Sequence, residues 1–301
     1  MDSSNDNGRR KAMVTGTSYG LGQAVAVRLA EDGFDVAVTD LPGVALDETI
    51  AAIEAAGATA VPIELDLRSQ ESIGAAFAAA VDGLGEIDVL VNNAGVLLLK
   101  PALEISPDEW RNVMTVNIDG TFAMAQQMAR HLVDTQREGL IINLASTFSV
   151  IGVPNVSAYG TSKTAIAGMT RHLAAEWAPY GIRVNAVGPG STPTKIRAKL
   201  LAGDPERRDR NLAKIPLQRF GEPSDIAGAV SYMASPDAVY MTGHLLMVDG
   251  GLTVTCTSAP TLVLNSLEES PGRRSRAGAT SSSAGSPAAA RAPACPARCA
   301  A

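Results

Sequence analysis

Tyr159 and Lys163 stand four residues apart in a stretch whose spacing predicts a helix over 155–179, so their side chains share one face. An ammonium beside a phenol stabilises the phenolate, which draws the tyrosine pKa down from about 10 and makes the pair a general acid–base. Ser146 closes an expected strand 13 residues earlier, where its hydroxyl can hydrogen-bond a substrate oxygen. Asn117 stands in Val-Asn-Ile-Asp-Gly, inside a helix expected over 106–135. Tyr-x-x-x-Lys alone is frequent on solvated helix faces. Here all of the elements fall, in order, at the carboxyl edges of expected strands.

A second set of residues suits a dinucleotide. The first expected strand runs into Thr15-Gly16-Thr17-Ser18-Tyr19-Gly20-Leu21-Gly22 and then a helix. Glycines there let the backbone approach a pyrophosphate held at the helix N-terminus. The spacing is G-x-x-x-G-x-G, which is neither the general dinucleotide fingerprint nor a P-loop. The second strand ends at Asp40, whose carboxylate can accept from both hydroxyls of an adenosine ribose and repels a 2′-phosphate. Tyr19, Leu41 and Pro42 occupy the positions where a cation would welcome that phosphate, so NAD is expected over NADP. Asp66-Leu67 closes the third strand on the same edge. Asn92-Asn93-Ala94-Gly95 closes the fourth, with amides that can fix a loop and line the adenosine side.

The elements that must position these residues alternate along the chain. Short apolar runs at 11–15, 35–39, 59–65, 87–91, 139–145, 181–187 and 244–248 read as strands buried on both faces of a parallel sheet. Ala-rich stretches at 20–32, 43–56, 69–82, 106–135, 155–179 and 222–234 carry helical spacing, with starts at Ser106-Pro107 and Pro223-Ser224-Asp225. Seven strands and six helices predict a Rossmann-like, doubly wound α/β sheet in three layers, one domain. Residues 191–220 break the rhythm and are expected to overhang the carboxyl edge. Their run Glu206-Arg207-Arg208-Asp209-Arg210 reads as a solvated face.

Composition bounds the rest. The chain has 301 residues and a net charge of -6. Residues 271–301 hold five Arg, no acid and no Leu, Ile, Val, Met or aromatic residue, so the preceding part carries -11. Such a stretch cannot build a core. The expected division is a flexible N-terminus over 1–10, a catalytic domain over 11–253 and a disordered Ala/Arg/Pro/Ser-rich tail over 254–301. An acidic body argues against nucleic-acid or anionic-membrane binding, and no apolar run reaches membrane-spanning length. Cys256, Cys295 and Cys299 all follow residue 250, which suggests a reducing cytoplasm. His131, His172 and His244 are mutually isolated, so no metal is expected.

Together these residues resemble a short-chain dehydrogenase/reductase over about Lys11 to Gly251. The likeness is carried by Thr15–Gly22, Asp66, Asn92–Gly95, Asn117, Ser146, Tyr159, Lys163, Pro189-Gly190 with Thr194, and Asp249-Gly250-Gly251. The resemblance implies that Tyr159 is the acid in reduction and the base in oxidation. It implies that Lys163 lowers the Tyr159 pKa and binds the nicotinamide ribose, that Ser146 polarises the carbonyl, and that Asn117 positions a relay water. Pro189, Gly190, Thr192 and Thr194 would contact the carboxamide. It also implies a homotetramer built through the 106–135 and 155–179 helices and the last strand.

The substrate expected is a small alcohol or ketone with an apolar body. The reason is the apolar character of Val96, Leu97, Leu98, Thr147, Phe148 and Val153, expected to line the pocket with a 191–215 lid. Leu97 to Leu99 could equally pack the subunit core. A reductase of 3-oxoacyl groups on a carrier protein is the alternative within the family. Arg137 stands where such an enzyme would grip its acidic carrier, but Tyr180 replaces a second basic position. A catalytically silent dinucleotide sensor is a third reading, opposed by the intact Tyr159 and Lys163.

Overall fold

The computed structural model describes residues 8–193 and 204–255. Thr194, the remainder of the expected lid to residue 203, the three cysteines and the expected tail beyond 255 lie outside the described residues. Seven parallel strands form one sheet: β1 (Arg10–Thr15), β2 (Phe34–Asp40), β3 (Ala60–Glu64), β4 (Val89–Asn92), β5 (Gly139–Leu144), β6 (Ile182–Pro189) and β7 (Leu245–Val248). Their order is β3-β2-β1-β4-β5-β6-β7. The chain reverses direction of travel between β1 and β4, and at such a switch point an open α/β sheet leaves a crevice beyond its carboxyl ends. The helices are α1 (Gly20–Glu31), α2 (Asp47–Ala55), α3 (Gln70–Leu84), α4 (Pro107–Met114), α5 (Thr121–Asp134), α6 (Ser157–Trp177), α7 (Pro205–Leu212) and α8 (Pro223–Ala234).

Alternation along the strands splits the core in two, because successive side chains leave opposite faces. Met13, Ala37, Leu90, Ile141 and Val184 pack with Phe77 of α3, Met124 and Met128 of α5 and Leu173 of α6. Their neighbours Ala12, Val14, Val36, Val38, Val91 and Ile142 pack on the other side with Val25 and Leu29 of α1, Ile53 of α2 and Val230 of α8. Each large apolar side chain buried this way contributes about 1.5–3 kcal/mol before entropy is counted.

Four departures from the sequence expectation matter for the site. The helix expected over 106–135 is not continuous. Ser106 and Glu109 form a capping box that starts α4, and a π turn at Thr115–Gly120 separates α4 from α5. Asn117 sits in that turn, and the wider turn is the kind of local distortion found where a helix is bent to serve a site. Gly120 is required there, since a Cβ would stand 2.7 Å from the Leu67 Cβ. The broken segment 191–220 contains α7, whose Glu206 and Arg210 pair at 3.2 Å on an exposed face. Asp66 and Ser146 each lie two residues beyond their strand ends rather than in them. At the amino edge, β1 starts at Arg10, and Arg9 donates to Ala30 O at 2.7 Å. Arg9 and Arg10 thus belong with the domain rather than with the segment 1–10.

Two clamps fix the carboxyl edge. Thr15, 1% exposed, accepts through Oγ1 from the main-chain N–H groups of Asn93 and Ala94, both at 3.0 Å. Asn93 returns the contact, donating through Nδ2 to Thr15 O and Gly16 O at 2.9 Å. At the end of the described chain Asp249 closes its loop, accepting from Gly251 N–H at 2.9 Å and from the Thr253 N–H and hydroxyl at 2.8 and 2.6 Å. Thr15→Val keeps the shape but strands two buried donors. It is expected to lower stability by about 2–4 kcal/mol, read as a shift of the urea unfolding midpoint. Truncation after Thr255 should leave thermal midpoint and activity unchanged, whereas truncation after Leu252, which removes the Thr253 contacts to Asp249, should lower the thermal midpoint.

Candidate active site

The glycine turn is built by close approach. A Cβ on Gly22 would lie 2.0 Å from Gly16 O and 2.5 Å from Asn93 Nδ2, and Gly16 and Gly20 hold φ of +72° and +69°. Tyr19 precedes α1 in an extended conformation and, among the described residues, no side chain caps the helix or places an acid in its first turn. The first N–H groups of α1 are therefore open to an anion, and the helix dipole favours one there. Leu21 is half-buried on the same turn. Half-buried Asp40 accepts from Ser18 N–H at 3.0 Å and from Leu41 N–H at 2.9 Å, which aims the carboxylate across the turn. This cradle fits a dinucleotide's pyrophosphate and ribose.

The remaining expected cofactor residues lie at or just beyond the carboxyl ends of β3, β4 and β6. Asn93 spends both amide hydrogens on β1, so it fixes the loop and leaves no amide donor for an adenosine. Asp66 is held by Arg68, whose Nε and Nη2 both donate to it at 2.8 Å. That guanidinium, with the Arg68 N–H, keeps the Asp66 carboxyl below the usual carboxylate range. Leu67 is buried core under the π turn. Pro189 ends β6, Gly190 donates to Val248 O at 2.9 Å, and Thr192 lies against Gly221. Ala94 and Gly95 follow directly in the loop after β4.

The four candidate catalytic residues converge from three segments. Lys163, 5% exposed, donates through Nζ to Leu144 O at the end of β5. Burial draws its pKa down from 10.5 to about 8. Its Nζ stands 5.7 Å from the Tyr159 ring centroid, and Phe148 meets the same ring edge-on at 6.0 Å. Ser146, 7% exposed, caps the short turn Thr147–Ser149 by accepting from Phe148 N–H at 3.2 Å. A methyl group on Gly95 would sit 3.1 Å from Asn117 Oδ1 and 3.6 Å from Lys163 Nζ, which sets these three side by side.

Asn117 is more committed than its sequence position suggests. Its Oδ1 accepts from Val96 N–H at 2.8 Å, and its Nδ2 donates to Val96 O at 3.0 Å and to Ser162 Oγ at 2.9 Å. Both amide hydrogens stay within the protein. Thr15, Ser149 and Ser162 carry structural links that sequence reasoning missed. A polar residue inside a buried strand end or a helix core was the available signal.

The surface around these residues is partly apolar. Leu97 and Leu99 are 48% and 60% exposed, so they are not subunit core. An open depression of about 720 Å³ lies beside α6, lined among others by Phe148, Val150, Ile151, Val153, Gly160 and Thr164. It shares Phe148 and Val153 with the expected pocket. Arg137 is held by Glu86 and Asp88 at 3.0 and 2.7 Å. His131 is half-buried: it accepts from Ile87 N–H at 3.2 Å, and burial lowers its pKa. Among the described residues no group of three His, Cys, Asp or Glu side chains could hold a metal, and no helix is long and apolar enough to cross a membrane.

Comparison with known proteins agrees with this architecture. A family model described as enoyl-(acyl carrier protein) reductase matches residues 16–253. The chain is 40% identical over 248 residues to 3beta-hydroxysteroid dehydrogenase 1 of Eggerthella lenta, covering 81% of this chain and 94% of that protein. It is 40% identical over 240 residues to 2-dehydro-3-deoxy-D-gluconate 5-dehydrogenase of Escherichia coli, covering 80% and 94%. The crystal structure of a short-chain type dehydrogenase/reductase from Mycobacterium marinum superposes with a TM-score of 0.77 at 35% identity, covering 82% of this chain and 96% of that one. The crevice at the β1–β4 switch point, the glycine cradle before α1 and these relatives lead to one conclusion: the chain belongs to the short-chain dehydrogenase/reductase family of oxidoreductases.

Proposed function

We propose that this protein is an NAD(H)-dependent oxidoreductase that interconverts a secondary alcohol and a ketone. The observation that supports the reading is Tyr159 on one face of α6 with buried Lys163, whose Nζ is 5.7 Å from its ring centroid, and against Phe148 of the turn that Ser146 caps, at the edge of the sheet that also holds the glycine cradle. A bound nicotinamide dinucleotide supplies the hydride in reduction and takes it up in oxidation. The protein's own task is the proton and the oxygen. Ser146 hydrogen-bonds the substrate oxygen, Tyr159 gives its hydroxyl proton to that oxygen in reduction and removes it in oxidation, and Lys163 stabilises the phenolate left behind. Lys163 also holds the ribose next to the nicotinamide, and Gly16, Ser18, Tyr19, Gly20, Leu21 and Gly22 hold the pyrophosphate. Asn117 serves this chemistry by shaping the π turn beside Lys163.

Asp40 supports NAD over NADP: its carboxylate lies across the glycine turn, where a 2′-phosphate would meet a like charge. Exposed Leu97, Leu99, Val150 and Val153 support a substrate with an apolar body, the chemistry that the name of the Eggerthella lenta relative also describes. A second reading is reduction of a 3-oxoacyl group on a carrier protein, the activity named for a solved structure that this chain resembles at 30% identity, 3-ketoacyl-(acyl-carrier-protein) reductase from Brucella melitensis. Against it, the arginine expected to grip the carrier is already paired with Glu86 and Asp88. The protein is further proposed to act as a homotetramer in the cytoplasm, with exposed Trp110 of α4 and Phe122 of α5 in the subunit contacts.

Turnover is read as absorbance of the reduced nicotinamide with a panel of secondary alcohols, ketones, sugar acids and 3-oxoacyl thioesters. NAD-linked turnover of an apolar alcohol is expected, and Tyr159→Phe should reduce it at least about 100-fold. Turnover confined to the thioesters would replace this reading with the second one. Asp40→Ala should weaken NADH binding and raise the affinity for NADPH, both read by nicotinamide fluorescence. A wild-type protein that already prefers NADPH would overturn the assignment of Asp40.

A further inference from the structure

The buried residues of α2 are Thr49 and Ile53, one helical turn apart. Ile53 packs into the core with Val25 and Leu29 of α1. Thr49 is polar, 0% exposed, and spends its hydroxyl on the glycine turn, donating through Oγ1 to Thr17 O at 2.7 Å. The same oxygen accepts from Gln23 Nε2 of α1 at 3.2 Å. Thr17 is equally buried and is tied to β2, its N–H and Oγ1 donating to Thr39 O at 2.9 and 3.2 Å. The Thr17 carbonyl and the Ser18 N–H belong to one peptide group, and that N–H donates to Asp40 Oδ2 at 3.0 Å. One planar unit is thus pinned at both ends, its oxygen by α2 and its nitrogen by the carboxylate at the end of β2.

We propose that Thr49 is a positioning residue for Asp40 and, through Asp40, a determinant of the choice between NAD and NADP. A trans peptide is planar, with its C=O and N–H pointing in opposite directions. Holding the Thr17 oxygen therefore fixes the direction of the Ser18 N–H, and with it the carboxylate oxygen that this N–H meets. The other oxygen accepts from Leu41 N–H, the next residue in the chain, so the Ser18 contact is the one that ties the carboxylate to the glycine turn. Without the Thr49 hydroxyl the Thr17 carbonyl and the Gln23 amide each lose a partner in a buried place, and the peptide is free to tilt. The inference rests on the reading of Asp40 as the ribose ligand. NADH gains from an aimed carboxylate through its ribose hydroxyls, whereas the 2′-phosphate of NADPH meets a like charge whether the carboxylate is aimed or loose. The pyrophosphate is common to both cofactors and meets the turn in the same way. Loss of Thr49 therefore acts on the NADH side of the preference.

The test is a nicotinamide-fluorescence titration of the full chain with NADH and with NADPH, and it needs no substrate. In Thr49→Val the Kd for NADH should rise about fivefold while that for NADPH does not rise, so the preference narrows. Thr49→Ser, which keeps the hydroxyl, should stay within about twofold of wild type for both. In an Asp40→Ala background Thr49→Val should no longer change the ratio of the two constants. Thr49→Ala removes the same donor with a smaller side chain and serves if the valine methyl, set against the Thr17 carbonyl, prevents folding. A Thr49→Val protein whose ratio matches wild type, whether both constants weaken together or neither moves, makes Thr49 merely structural and overturns the proposal alone. A wild type that binds neither cofactor, or prefers NADPH, overturns the reading of Asp40 and this inference with it.

Discussion

A buried ammonium governs this structure. Almost none of Lys163 reaches solvent, and an unpaired charge in such a place is costly. The protein offsets the cost with the Leu144 carbonyl at the end of β5, with Asn117 Oδ1 nearby and with the face of the Tyr159 ring. Each of these partners comes from a different element. A Cβ on Gly95 would crowd Asn117 Oδ1 at 3.1 Å and lie 3.6 Å from Lys163 Nζ.

The other end of the crevice is organised by backbone approach rather than by charge. Gly16 and Gly22 press together until no Cβ would fit, and Asn93 locks the resulting turn to β4. The outcome is an open helix N-terminus with a carboxylate, Asp40, to one side. That combination attracts a pyrophosphate and discourages a further phosphate on the ribose. The two ends share the loop Asn93–Val96, which braces the glycine turn through Asn93 and the catalytic turn through Val96.

Several polar residues that look available in the sequence are already occupied. Arg137 is neutralised by Glu86 and Asp88, Asp66 by Arg68, and both Asn117 amide hydrogens by Val96 and Ser162. The exposed Val150 and Val153 share one open depression with Phe148 beside α6.

The sequence by itself determined the seven-stranded parallel sheet, the glycine turn, Asp40 at the end of β2 and the Tyr159–Lys163 face. These are local properties: continuous apolar runs, glycine spacing and a four-residue helical repeat are written in neighbouring residues. Only the tertiary structure decided that the 106–135 helix breaks at Asn117, that Asn93 is a clamp rather than a free amide, that Leu97 and Leu99 are exposed and that Ser162 accepts from Asn117. In each case the deciding atoms lie far apart in the chain: 78 residues separate Thr15 from Asn93 and 45 separate Asn117 from Ser162. A hydrogen-bond partner brought in by folding leaves no periodic trace, so which polar groups are spent and which stay free is settled only when the sheet edge is assembled.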